Sequence, residues 1–287
     1  MKRTLILGGT ARLGQEVARQ AIAKGLEVTC LARGESGQVP DGATLARADR
    51  RSPEAYSEVR DLDWDEVIEL SYKPEFVTGA LKNLAERAAH WTLVSSVSVY
   101  ASNRDPGAGE DAALVVPQDL EDYAHAKVAA EQASLAALGD RLLIARPGLI
   151  VGPGDTSDRF SYWVSRLALA GYEDVLVPEA SARFVQFIDV RDLASWLVKT
   201  EGRGIFGIYN VVGQEQSFAG FLQAVADATC FSGELLTATD EWLLKQGVNY
   251  WAGKYSLLLW LPSGEEGFAQ RSSHRFFVSG GHSRPLR

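Results

Sequence analysis

Cysteine is nearly missing from this sequence: among 287 residues only Cys30 and Cys230 occur, far apart in the chain. Two such residues cannot frame a disulfide scaffold, and both read as small buried hydrophobes. Histidine is almost as scarce. His90, His125, His274 and His282 are scattered without metal-ligand spacing, which argues against a zinc site. Positive charge is in deficit, with 29 Lys and Arg against 37 Asp and Glu and a net charge of −8. Sequence-independent nucleic-acid binding works by neutralising phosphates with Lys and Arg, so that class is not expected. No apolar run approaches the roughly 20 residues that a membrane helix needs. The opening "MKRTLILGGT" runs into a glycine turn too soon to be a signal peptide. The expectation is a cytoplasmic protein without nucleic-acid or membrane partners.

What is present is ordinary for a globular protein: 46% apolar and 23% charged residues. Through the first half, short apolar runs alternate with helical patterns, which signals βαβ units and a parallel sheet. "RTLILG" reads as a buried strand, "RLGQEVARQAIAKG" as a helix ending at Gly25, and "LEVTCLA" as a second strand. "ATLARAD" is a third strand, followed by a helix expected to start near Pro53. "DEVIELS", "WTLVSSVSVY" and "RLLIARPGLIVGPG" supply the fourth, fifth and sixth. The fold class is therefore α/β, a doubly wound parallel-sheet Rossmann fold. The second half is less regular, with "GIYNVVG" as a further strand and a helical, then aromatic-rich tail. Residues 1–152 plus 184–212 are expected to form the dinucleotide-binding domain, and 153–183 plus 213–287 a smaller C-terminal substrate lobe.

"LGGTARLG" follows the first strand and opens a helix, the context a dinucleotide-binding turn requires. Gly8 and Gly9 would let the backbone turn tightly, and Gly14 would let the helix approach the sheet. Thr10, Ala11 and Leu13 complete the loop. The free N–H groups of the helix N-terminus then face a pyrophosphate. At the end of the second strand an acid would bind the 2′-hydroxyl of NAD, whereas an arginine would accommodate the 2′-phosphate of NADP. "CLARGES" places Arg33 there and no acid before Glu35. Arg12, in the glycine loop, is expected to approach the same phosphate from the other side. NADP is favoured over NAD.

"EDYAHAKVAAEQ" sets Tyr123 and Lys127 one helical turn apart. Spacing alone leaves two readings open, a polar pair on a helix surface or a phenol and an amine held for proton transfer. The glycine loop, "SSVSVY" after the fifth strand and this Y-x-x-x-K together resemble the extended or atypical short-chain dehydrogenase/reductase superfamily, the NAD-dependent epimerase/dehydratase group. The resemblance spans nearly the whole chain, and "RPGLIVGPG" and "VQFIDVRDLA" match later landmarks of that group. It implies that Ser96, Tyr123 and Lys127 are catalytic. It also implies that Pro147 and Gly148 lie near the nicotinamide, Asp49 and Arg50 near the adenine, and Ser71 and Tyr72 along the cofactor. A free phenol has a pKa of about 10, and a lysine ammonium nearby favours its ionised form. The same lysine would bind the nicotinamide ribose while Ser96 holds the substrate oxygen.

Departures from the group's pattern narrow the activity. Sugar-nucleotide enzymes of the group usually carry an arginine where Val185 stands, and Arg183 lies two residues earlier. The dehydratase branch has acids after the catalytic hydroxyl residue, where this chain has Val97 and Ser98. Ser98 and Arg183 are candidate substrate contacts. Ala11 replaces a glycine common in the loop. The final "GFAQRSSHRFFVSGGHSRPLR" resembles the group's closing segment, which normally leads into a last helix. The aromatic cluster at 242–260 is read first as the core of the small lobe and second as a substrate wall. The leading expectation is an NADP-dependent reductase or dehydrogenase acting on a small molecule, as a monomer or homodimer. A nucleotide-sugar epimerase with tightly bound NAD is the alternative within enzymes, and a non-catalytic NADP-sensing regulatory or scaffold protein the alternative outside them.

Overall fold

The computed structural model describes residues 1–102, 109–181, 183–200 and 204–262. In chain order the elements are β1 (Arg3–Leu7), α1 (Arg12–Ala23), β2 (Glu27–Ala32), β3 (Ala43–Arg47), β4 (Glu66–Glu69), α2 (Pro74–Leu84) and β5 (Trp91–Val94). Then come α3 (Tyr123–Leu138), β6 (Leu142–Pro147), β7 (Leu149–Val151), α4 (Ser161–Ala170), β8 (Val175–Pro178), β9 (Phe184–Asp189), α5 (Val190–Thr200) and β10 (Gly207–Val211). The chain continues through β11 (Glu215–Ser217), α6 (Phe218–Ala228), β12 (Leu235–Ala238), α7 (Asp240–Lys245), β13 (Asn249–Trp251) and β14 (Ser256–Leu258).

Seven strands form one sheet in the order β10-β6-β5-β4-β1-β2-β3, with every pairing parallel. The order reverses at β1, between β4 and β2, as a doubly wound sheet requires. Strands covered on both faces must be apolar on both, and β1 shows this. Leu5 and Leu7 join one core with Val77, Leu81 and Leu84 of α2 and Ala130 and Leu138 of α3. Ile6 joins the opposite core with Val17, Ala18 and Ala21 of α1 and Leu193, Ala194 and Leu197 of α5. The six expected strands are all found, and "GIYNVVG" adds the seventh as β10, beside β6.

The chain leaves this sheet after Pro147. β7 pairs instead with β9, which also takes β11, in a separate three-stranded sheet. Two further two-stranded pairs, β8 with β12 and β13 with β14, complete the strands. These elements enclose a third core around Trp163, Phe187, Phe218, Phe221 and Trp260. "VQFID" thus begins away from the large sheet, while the helix that follows it, α5, returns to pack on α1.

A helix was expected from Pro53. The segment forms successive turns instead, with Ser52, Ala55 and Ser57 each donating to the carbonyl three residues back. Buried Tyr56 and Val59 anchor these turns, and Trp64 Nε1 takes the Val59 carbonyl at 3.1 Å. That carbonyl is thereby tied to the following segment rather than to a continuing helix.

Gly14 shows how closely α1 meets the first turn. A Cβ on Gly14 would lie 2.4 Å from the Gly8 carbonyl oxygen and 2.7 Å from Gly9 Cα. Both neighbours are backbone, so neither can swing aside. Gly14→Ala is expected to lower stability by about 1–3 kcal/mol in urea unfolding, the usual cost of overpacking. An unchanged midpoint would show that the helix can back away freely.

Candidate active site

The glycine turn closes on the C-terminal edge of the sheet. Gly8 takes φ +105°, a conformation that favours glycine, and a Cβ on Gly9 would lie 2.3 Å from the Cys30 sulfur. Ala11 is the N-cap of α1 and supplies no side-chain hydrogen bond. Most helices cap their first N–H groups with Ser, Thr, Asp or Asn. Here those donors are left for a ligand, at the positive end of the helix dipole. A groove of about 230 Å³ runs from this turn, lined by Gly8, Thr10, Ala11, Arg33, Asp49, Arg50 and Ser71. Cradle and groove together fit a dinucleotide.

Within the groove the charges are unequal in availability. Arg50 is buried and forks onto Glu69, with Nη1 to Oε1 at 2.9 Å, and also donates to the Phe76 carbonyl. Its role is to shape the groove wall. Asp49 pairs with Arg51, whose hydrogen bonds hold the carboxyl down at about 2. Arg33 is half exposed, and its ion pair among the described residues is with the exposed Glu35, at 3.1 Å. Such surface pairs are worth about 0–1 kcal/mol, so Arg33 can turn to another anion at little cost.

Arg12 is placed elsewhere than the sequence suggested. It lines a second cavity rather than this groove. Its guanidinium donates to the carbonyls of Pro153 (2.9 Å), Gly152 (2.9 Å) and Ile150 (3.4 Å), and lies 3.5 Å from Asp155. These bonds hold it against the turn after β7, on the far side from Arg33. Leu13 packs into the core between α1 and the sheet.

The second cavity, about 550 Å³, brings together Ser96, Ser98, Tyr123, Gly148 and Arg12. Ser96 ends the exit of β5 and is buried. It donates to Ser98 Oγ at 3.0 Å and accepts from the Ser98 N–H at 3.1 Å. The loop is pinned from below by Tyr100, whose hydroxyl donates to Asn210 Oδ1 at 2.6 Å and accepts from Arg146 Nη1 at 3.0 Å. Tyr123 opens α3 beside its N-cap Asp122, whose carboxylate accepts from the N–H groups of Ala124 and His125. The phenol ring is 42% exposed and packs edge-on against Tyr72 at 5.0 Å.

Lys127 lies one turn deeper and is buried. Its Nζ donates to the Val94 carbonyl at 2.6 Å and sits 5.8 Å from the centroid of the Tyr123 ring. Burial lowers its pKa to about 8, opposed by the charges of Glu69 and Glu131. Glu131, one turn further along α3, is itself buried and held by a fork from Arg146. His125, between the two, accepts from the N–H groups of Gln118 and Asp119 and plays no part in the cavity.

Arg183 does not line the cavity. It forks onto Asp240 at 2.5 and 2.6 Å and donates to the carbonyls of Glu179 and Leu261, which ties β9 to α7. The side chain is committed to the fold, whereas Val185 reaches the cavity wall. Pro147 ends β6 just before Gly148 turns the chain toward β7. The cavity also contains Asp122, Asp155, Arg159 and Gln186, none of which carried a signal in the sequence, and Trp251 of the aromatic cluster that was read second as a substrate wall. The closing segment and its resemblance lie outside the described residues, as do residues 103–108 of the loop before α3. Among the described residues no helix is long and apolar enough to cross a membrane.

The glycine turn opens α1, and Ser96, Tyr123 and Lys127 lie on the neighbouring exit of β5 and on α3. The chain belongs to the NAD dependent epimerase/dehydratase family, whose model matches residues 4–211. It is similar to a solved structure from Burkholderia cenocepacia J2315, with a TM-score of 0.71 and 21% identity over 99% of this chain and 94% of that one. UDP-N-acetylglucosamine 4-epimerase from Bacillus cereus gives 0.66 and 18%, covering 84% of this chain and 87% of that one. The dTDP-4-dehydrorhamnose reductase of Bacillus anthracis str. Ames, in complex with NADP, gives 0.66 and 15%, covering 96% and 90%. No curated protein matches the sequence.

The buried ammonium makes a direct prediction. The pKa of Lys127 is about 8 in the folded protein against 10.5 ordinarily, so between those values the unfolded chain binds more protons. Stability against unfolding should therefore rise with pH from about 8 to about 10.5, relative to Lys127→Met. The lysine Cε resonance should titrate near 8 in NMR, and a midpoint above 10 would contradict the assignment.

Proposed function

We propose that the protein is an NADP-dependent oxidoreductase that interconverts a carbonyl and an alcohol on a small organic substrate, with Ser96, Tyr123 and Lys127 as its catalytic residues. One observation carries this reading: Ser96, Tyr123 and Gly148 share a cavity, and the Lys127 ammonium is held behind the phenol. When bound, the nicotinamide supplies or accepts the hydride. Gly8, Gly9, Ala11 and the first N–H groups of α1 would hold the pyrophosphate, and Arg33 the 2′-phosphate. Thr10, Asp49, Arg50, Ser71 and Tyr72 would flank the adenosine and the ribose chain, with Pro147 and Gly148 near the nicotinamide.

In the reducing direction Ser96 holds the substrate oxygen by a hydrogen bond. As the carbonyl carbon takes a hydride, that oxygen gains negative charge and takes the proton from the Tyr123 hydroxyl. The product is the alcohol, and the phenolate is reprotonated from solvent, to which Tyr123 is open. Lys127 and the N-terminal end of α3 both place positive charge behind the phenol oxygen, so the proton can leave without a large penalty. In the oxidising direction the same groups run in reverse, with Tyr123 as base. Ser98, bonded to Ser96, keeps that hydroxyl oriented and is a candidate substrate contact.

A nucleotide-sugar epimerase would use the same three residues with retained NAD. Membership of the family and the UDP-sugar epimerase among similar folds favour it. The apolar Val185 in the cavity, where the sugar-nucleotide pattern has an arginine, favours the reductase. NAD co-purifying with the protein and resisting dialysis would decide for the epimerase.

Two measurements test the reading. Tyr123→Phe should lower kcat by at least ~100-fold while leaving the NADPH dissociation constant unchanged, because general acid–base catalysis typically contributes 10²–10⁴. Undiminished turnover would leave a cofactor sensor as the better account. NADPH should bind at least ~10-fold tighter than NADH, and Arg33→Ser should remove most of that difference. Equal affinities, or a preference for NADH, would refute the role of Arg33.

A further inference from the structure

Arg159 enters the cavity from the segment between β7 and α4, and among the described residues it makes no side-chain hydrogen bond or ion pair within 4 Å. Arg12, the other guanidinium, is bound to three carbonyls and lies beside Asp155. Arg159 Nε is buried and makes no hydrogen bond, and no ion pair within 4 Å engages the side chain among the described residues. A buried guanidinium N–H without an acceptor is costly, and such groups in native proteins call for an explanation.

The surroundings supply one. The Arg159 guanidinium lies 5.4 Å from the Trp251 ring centroid, over its face. A cation–π contact of this kind leaves guanidinium N–H groups without an acceptor, and a guanidinium fork matches the geometry of a carboxylate or phosphate. Trp251 adopts φ +67°, which is unusual for a bulky residue, and so presents its indole to the cavity at a cost in backbone strain. Among the described residues neither carboxylate of the cavity pairs with Arg159 within 4 Å, although Asp155 Oδ2 is buried without a hydrogen-bond partner and its charge acts on the guanidinium from farther off. Asp122 caps α3, and Asp155 Oδ1 takes the Ser157 N–H at 2.9 Å and faces Arg12 at 3.5 Å. Desolvation lowers the Arg159 pKa, with Asp155 and Tyr123 acting to raise it, so its charge is within electrostatic reach of the phenol.

Resting on the reading of this cavity as the substrate site, we propose that the substrate carries an oxyanion group, which the N–H edge of Arg159 binds while Trp251 covers the guanidinium face. The reacting carbonyl or alcohol then lies toward Ser96 and Tyr123, and Arg159 fixes which end of the substrate meets them. Val185, Phe187 and Leu259 form the apolar wall between the two polar ends.

The test is isothermal titration calorimetry of the full chain, with and without NADPH, using benzoate, its neutral isostere benzamide, inorganic phosphate and UDP. At least one of the three anions should bind, with benzamide at least ~10-fold weaker than benzoate if the carboxylate is the match. Arg159→Gln should weaken that anion at least ~10-fold, and Arg159→Lys should recover part of the loss. Neither variant should change the NADPH dissociation constant, since Arg159 does not line the cofactor groove. The anion that binds tightest identifies the source, whether a carboxylate, a simple phosphate or a nucleoside diphosphate. The proposal is overturned if none of the anions binds the wild-type protein, or if Arg159→Gln binds it as tightly as wild type does. Failure of NADPH to bind would sink the cofactor reading separately, because the anion titrations are also run without it.

Discussion

A lysine ammonium removed from water governs the layout of this site. Lys127 is buried, and the protein keeps it useful by surrounding it with opposite charge that is itself compensated. Glu69 at the end of β4 is held by Arg50, and Glu131 on α3 is held by Arg146 of β6. The result is a row of alternating charges, from Arg50 through Glu69, Lys127 and Glu131 to Arg146, with one net positive charge. Removing one member of such a buried set typically costs about 3–5 kcal/mol, because its partner is left charged and unpaired. The row also reaches both recognition surfaces. Arg50 walls the cofactor groove, Lys127 backs Tyr123, and Arg146 holds Tyr100 and with it the loop bearing Ser96.

That electrostatic row fixes one wall of the cavity, and a change of sheet provides the other. The chain leaves the large sheet at Gly148, where a Cβ would lie 3.2 Å from Val212 Cγ1, and re-enters through a strand of the smaller sheet. A second tight crossing lies nearby, since a Cβ on Gly213 would lie 1.7 Å from the Phe187 carbonyl oxygen. Ser96, Tyr123 and Lys127 come from the exit of the large sheet and α3. Val185, Phe187 and Trp251 come from the smaller strands. Arg12 bridges the two, since it begins α1 and grips the turn after β7 beside the cavity. Its departure from the expected place at the 2′-phosphate therefore has a physical cause: three carbonyls outcompete a solvent-exposed position.

Much of this was legible in the sequence where local rules suffice. The glycine turn, the strand–helix alternation and the Tyr123–Lys127 spacing each depend on neighbours in the chain. Legibility stops where the partner is distant. The resemblance placed Arg50 near the adenine, but it did not reveal that its partner is Glu69, nineteen residues on at the end of β4. Arg183 read as a substrate contact because it shares a face with Val185, yet Asp240 claims it from α7. The turns at 52–59 looked helical because their composition is helix-compatible; the anchoring of Tyr56 and Val59 in the core is a tertiary fact. Arg159 carried no pattern at all, since "DTSDRFSYW" becomes a site only when the turn after β7 meets Trp251.

The exchange of one cation for another has a consequence for the shape of what the cavity takes. Among the sugar-nucleotide enzymes that the sequence resembles, the arginine lies on the strand, where Val185 sits in this chain. Here that strand contributes Val185 and Phe187, with Gln186 between them, but no cation, and the unpaired guanidinium is that of Arg159 from the segment after β7. A ligand whose charge sat against the strand would bury its oxyanion on carbon, which is costly without a hydrogen-bond partner. A ligand of reversed polarity, apolar toward β9 and anionic toward the turn after β7, meets no such penalty. Lys127 and Tyr123 are fixed by α3 packed on the sheet, whereas Arg159 is carried by the turn after β7, so the proposed anion site can differ without moving the other two.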